Sequence, residues 1–173
     1  MATASISTLY LFRHVRAAVA RPGQTDHQRP LDSRGESDMV RMAEVLAAEA
    51  ADIDVVLCST ATRTRQTLDA LRPRLRARSS INFFDSLYEQ GIEAYFAEVR
   101  VCGEPRATMV IGHNPTIEEF ALQLAGDGEK ASMALLREGL PTAALAILSF
   151  DSGLADITPG SGYLRRLLRP RDL

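Results

Sequence analysis

The sequence predicts an α/β protein. Two observations carry that reading. Short, nearly continuous apolar runs rich in Val, Ile and Leu, the pattern of strands buried on both faces, alternate with stretches of helical period. The composition is that of an ordinary globular chain: 173 residues, 46% hydrophobic and 24% charged, with 11 Gly and 8 Pro, enough to bury a real core.

The expected strands are Thr8 to Phe12, Val55 to Cys58, Ile81 to Phe84, Thr108 to Ile111 and Ala143 to Phe150, with a weaker one at Tyr163 to Leu168. Between the first two, Ser33 and Glu36 have the spacing of a capping box. Met39, Ala43, Leu46, Ala47 and Ala50 then follow on one helical face. After the second strand Thr64, Leu68, Leu71 and Leu75 repeat that spacing until Pro73 and an Arg-rich end weaken it. Residues 91–100 form a further expected helix. After the fourth strand Ile117, Phe120, Ala121 and Leu124 share a face, led by Asn114-Pro115-Thr116 with Glu119 as a second capping-box partner. No repeat, linker or composition break divides the chain, so residues 1–173 are expected to form one domain.

Twenty basic against 22 acidic residues give a net charge of −2, without the basic excess of a protein that binds nucleic acid through phosphates. Cys58 and Cys102 are too few for a disulfide framework and lack metal spacing; they read as small core residues in a reducing compartment. The segment Met1 to Arg13 has no basic start followed by a long apolar stretch. No run approaches the ~18 apolar residues of a membrane span, so a cytoplasmic protein without a membrane partner is expected.

Nucleotide-binding, zincin and serine-hydrolase motifs are missing. The chemistry-bearing residues cluster instead after three strands, where α/β sheets line their crevices. Arg13 and His14 follow the first strand. Ser59 follows the second, with Arg63, Gln66 and Thr67 on the next helix; Arg63 and Gln66 share a face, whereas Arg65 points elsewhere. Gly112-His113-Asn114-Pro115 follows the fourth. Each piece also has a plain reading, a histidine leaving a strand or a helix cap. Together, two histidines and two arginines suit a phosphoryl group, because guanidinium groups match phosphate oxygens and a neutral imidazole can attack phosphorus. A two-histidine metal site is the alternative, disfavoured by the neighbouring arginines.

The ordered strings Leu11-Phe12-Arg13-His14, Asp26-His27-Gln28-Arg29-Pro30-Leu31, Ser59 to Thr67, Leu87-Tyr88, Gly112-His113-Asn114-Pro115 and Leu140-Pro141-Thr142 resemble the histidine phosphatase superfamily. They are most similar to its short SixA-type phosphohistidine phosphatases. The resemblance implies a three-layer αβα fold of the phosphoglycerate mutase-like kind with a mostly parallel sheet. It also implies a two-step phosphoryl transfer needing no cofactor or metal. His14 would be the nucleophile, with Arg13, Arg63 and His113 as the phosphate clamp. Larger members take a proton donor from a Glu after the third strand, which points to Glu89. Val15 stands where the superfamily usually has Gly, and SixA-type members often Ala.

The expected substrate is phosphohistidine in a protein partner, because the short segment from Asp85 to Ala107 leaves little material for a lid. An imidazole of pKa near ~6.5 also leaves more readily than an alkoxide. The alternatives are a small phosphomonoester hydrolase, which needs Glu89, and a non-catalytic phosphoprotein-binding module. His27 is expected to be solvent-exposed and Arg29 to hold its loop by an ion pair. Arg165, Arg166, Arg169 and Arg171 are expected to form a solvated edge.

Overall fold

The computed structural model describes residues 6–48, 52–75 and 79–173. Met1 to Ser5 and Ala50, which figure in the sequence reading, lie outside the described residues.

All six expected strands form: β1 (Ser7–Arg13), β2 (Val55–Ser59), β3 (Ser80–Phe84), β4 (Ala107–Gly112), β6 (Leu145–Phe150) and β7 (Gly162–Leu168). A short β5 (Ala125–Gly128) joins them in one sheet of order β3-β2-β4-β1-β6-β7-β5. The β3/β2, β2/β4, β4/β1 and β7/β5 pairs are parallel and only β6 runs against its neighbours, so the sheet is mostly parallel.

The central strands β1, β2, β4 and β6 bury both faces, as their continuous apolar runs require. In β1, Leu9 and Leu11 face one core with Val110, Phe120 and Phe96, while Tyr10 and Phe12 face the other with Met39, Met42 and Leu68. Helices α1 (Ser33–Ala48) and α2 (Thr62–Leu71) cover the second face. The first is covered by α4 (Ile92–Arg100), α5 (Thr116–Leu124) and α6 (Lys130–Glu138), giving the αβα layering. A single-turn helix α3 (Ser86–Glu89) precedes α4. None of the described helices is long and apolar enough to cross a membrane. Cys58 is buried and Cys102 partly so; both are free thiols, and burial raises the Cys58 pKa to about 12.

Several boundaries differ from expectation. The cap of α1 is Asp32, not Ser33: its carboxylate accepts from the Gly35 amide at 2.8 Å and its carbonyl from the Glu36 amide at 3.0 Å. An ionised oxygen one residue earlier outcompetes a hydroxyl at the positive helix end. Nor does Thr116 cap α5; the Ile117 and Glu119 amides reach back to the carbonyls of His113 and Pro115. Strand β6 starts at Leu145 rather than Ala143, because Ala143 turns at φ 61° and directs its amide to the His14 carbonyl at 3.2 Å. Arg169 is no part of a solvated edge: it is 7% exposed and clamped by Glu138 and Asp172.

Candidate active site

Strand register assembles the site. Arg13 of β1 lies opposite Gly112 of β4, and the His14 amide donates to the Gly112 carbonyl at 3.1 Å, so the two histidines leave adjacent strand ends side by side. Their ring centroids are 5.0 Å apart. Gly112 is required by a close approach: a Cβ there would stand 2.2 Å from the Tyr95 hydroxyl. That hydroxyl accepts from the His113 amide and donates to the Leu87 carbonyl, tying β4 to α3.

His14 is 8% exposed. Its Nδ1 lies 2.6 Å from the Val15 carbonyl, an acceptor only, so Nδ1 carries the proton and Nε2 the lone pair. Arg63, also buried, donates its Nε–H to that Nε2 at 3.2 Å. Burial, reinforced by Arg63, Arg13 and Arg29, lowers the His14 pKa to about 4 against an opposing contribution from the Val15 bond; the imidazole is neutral near pH 7. His113 is pushed down to about 2, first by burial and then by the neighbouring His14 ring and Arg63. Its Nε2 lies 2.8 Å from Ser59 Oγ, which accepts from the Ala61 amide and can give its own proton to the ring. The buried Nδ1 of His113 has no protein partner.

Arg63 is fixed at all three nitrogens. Besides Nε, its terminal nitrogens donate to the Asp26 carbonyl at 2.8 Å and the Asp26 carboxylate at 3.0 Å. Asp26 also accepts from Arg29 at 2.8 Å and from the Tyr88 hydroxyl at 2.9 Å. The Arg29 bond, joined by those of Tyr88 and Arg63, holds the Asp26 carboxyl well below the usual carboxylate range. Arg13 donates through a terminal nitrogen to the Leu140 carbonyl at 2.7 Å and leaves its buried Nε without a partner. Leu140 is held in turn by Glu118, which accepts from the Leu140 amide and from Asn114, each at 2.7 Å.

The structure thus brings Arg13, His14, Ser59, Arg63 and His113 together. Thr67 supports them by accepting from the Val15 amide at 3.3 Å. Gln66 is not among them: it accepts from the Leu31 amide at 2.8 Å and lines a separate cleft of about 400 Å³ between α1 and α2. Arg65 lies over the Phe83 ring, away from the site. Glu89 is exposed at the end of α3. Arg29 makes its expected ion pair, whereas His27 is half-buried, 3.0 Å from Thr60 Oγ1 and 4.8 Å from the Tyr88 ring. The short segment after β3 does reach the site, since Tyr88 stands edge-on to His113 at 5.4 Å. Neither Tyr88 nor Glu118 has an expected role; the acid four residues after Asn114 on α5 is the one-dimensional signal for the latter. Among the described residues no group of three or more His, Cys, Asp or Glu is placed to hold a metal ion.

The profile of the histidine phosphatase superfamily (branch 1) matches residues 9–96. A protein of Mycobacterium tuberculosis is 35% identical over 162 residues, covering 92% of this chain and 99% of that protein. A solved structure from Agrobacterium tumefaciens, of a protein assigned as the phosphohistidine phosphatase SixA, superposes with a TM-score of 0.81 at 31% identity, covering 95% of this chain and 98% of that one. Another so assigned, from Nakamurella multipartitia, gives 0.79 at 30% identity, with 97% and 98% covered.

Proposed function

The chain belongs to the histidine phosphatase superfamily and is a SixA-like phosphatase, and from that premise we propose that it hydrolyses phosphohistidine in a protein partner through a phosphohistidine intermediate on His14. The observation that carries this reading is the state of His14: a buried, neutral imidazole whose Nδ1 proton is committed to Val15, leaving Nε2 as the attacking lone pair.

In the first step Nε2 forms a bond to phosphorus while the bond to the substrate imidazole breaks, and that ring, already protonated by solvent on its other nitrogen, leaves with the electron pair as neutral imidazole. In the second, water attacks the phosphorus, His14 leaves with its electron pair restored, and inorganic phosphate departs. Transfer of this kind depends on positioning and on charge spread over the phosphoryl oxygens. The donors offered for those oxygens are the unpartnered Nε of Arg13, the unpartnered Nδ1 of His113 and the remaining N–H groups of Arg63. The two arginines supply charge neutralisation without a metal, and neutral His113 adds a hydrogen bond. Glu89 is the proton donor only for a substrate with a poorer leaving group, in keeping with its exposure. Residues 1–173 act as one phosphatase domain, since all seven strands share a sheet.

The test is a turnover comparison between a histidine-phosphorylated protein and a panel of alkyl phosphomonoesters. Preferential hydrolysis of the phosphohistidine supports the reading, and exclusive hydrolysis of alkyl esters overturns it.

A further inference from the structure

Asp26 is the most heavily bonded carboxylate at the crevice although its side chain is 52% exposed. An exposed carboxylate with one cation for a partner usually keeps its rotamer freedom and contributes little. Here three donors from separate segments converge on it: Arg29 on Oδ1, and Arg63 from α2 and Tyr88 from α3 on Oδ2. The Asp26 carbonyl takes the other terminal nitrogen of Arg63. Main chain and side chain of one residue therefore grip both ends of the guanidinium fork, and the grip leaves Nε–H directed at His14 Nε2. Of the five N–H groups of an arginine, three are committed in this way and two remain for a ligand.

We propose that Asp26 is a positioning residue for phosphoryl transfer: it holds Arg63 in the one orientation that serves both the His14 lone pair and the transferring phosphoryl group, and Tyr88 and Arg29 lock Asp26 in turn. The inference rests on the reading of His14 as nucleophile. A planar fork misplaced by a fraction of an ångström loses transition-state contacts while still attracting an anion. The Asp26 charge also offsets Arg63 and Arg29, so its removal makes the crevice more attractive to phosphate. The signature is a loss in kcat without a rise in KM.

The variant is Asp26→Asn, which retains the main-chain carbonyl and the side-chain shape, assayed on a histidine peptide phosphorylated with phosphoramidate. Tyr88→Phe, which removes one bond to the same oxygen, is the milder companion. Expected results are a kcat lowered at least 10-fold in Asp26→Asn and about 2- to 5-fold in Tyr88→Phe. KM and the inhibition constant of inorganic phosphate should be unchanged or lower. ¹⁵N spectra of the histidines give a readout independent of turnover: His14 Nε2 should be an unprotonated, hydrogen-bonded nitrogen in wild type. In Asp26→Asn it should move toward the position of a free imidazole nitrogen. A kcat within twofold of wild type, or an unmoved His14 resonance, overturns the proposal. Failure of the wild type to hydrolyse the peptide counts against the proposed function, while the spectra still decide the role of Asp26.

Discussion

Arg63 donates its Nε–H to the Nε2 of His14 across 3.2 Å, so the crevice's best-fixed cation rests on the lone pair that the reaction uses. An arriving phosphoryl group must take over this hydrogen bond, which places the guanidinium against its oxygens as the bond to phosphorus forms.

Arg63→Lys is expected to lower kcat/KM at least ~10-fold, about 1.4 kcal/mol of transition-state stabilisation, although the charge is kept. An ammonium has one nitrogen where Arg63 uses three for His14 and Asp26. Steady-state kinetics check this; near wild-type values would remove Arg63 from the clamp.

The pH dependence of stability follows from the buried histidines. His14 has a folded pKa of about 4 against 6.5 unfolded, so the unfolded chain binds more protons below pH 6.5. Stability is full above about pH 6.5 and is lost as pH falls toward 4, by up to about 3 kcal/mol for this group. His113, lowered in the same direction, adds its own loss over the same range and continues it below pH 4. Urea unfolding between pH 7.5 and 4 measures it. His14→Asn should flatten the slope, and an unchanged slope would mean that His14 titrates normally.

Six of the seven β-strands are legible as short runs rich in apolar residues with their own boundaries, and the three strand ends that build the site are legible with them. What escaped lacks a one-dimensional signal. Strand β5 reads Ala-Gly-Asp-Gly and exists because its glycines let the backbone approach β7: a Cβ on Gly128 would stand 2.6 Å from the Leu164 carbonyl oxygen. Helix α6 fully buries only Ser132 and Leu136, too few to set a period. Asp26 and Tyr88 lie 62 residues apart in the chain, so their bond is a product of the sheet order and not of any local pattern.

Glu89→Gln should cost less than tenfold on a phosphohistidine substrate and considerably more on any alkyl phosphate. General acid catalysis of a poor leaving group is worth ~10²–10⁴-fold. Rates on the two substrates check this. A large loss on phosphohistidine would show that its departure does need the exposed carboxyl of Glu89.

Activity should persist after exhaustive EDTA treatment, because Arg13 and Arg63 are assigned the charge neutralisation that a metal provides elsewhere, with His113 as a neutral hydrogen-bond donor. Loss on chelation with recovery on adding a divalent cation would contradict that assignment.

The central claim is that His14 carries the phosphoryl group. Rapid quenching during turnover of ³²P-labelled phosphohistidine protein should trap label that is stable in base and labile in acid. Mass spectrometry under alkaline conditions should place it on His14, with no label and no turnover in His14→Ala. Full turnover by His14→Ala, or label on any other residue, would contradict the account.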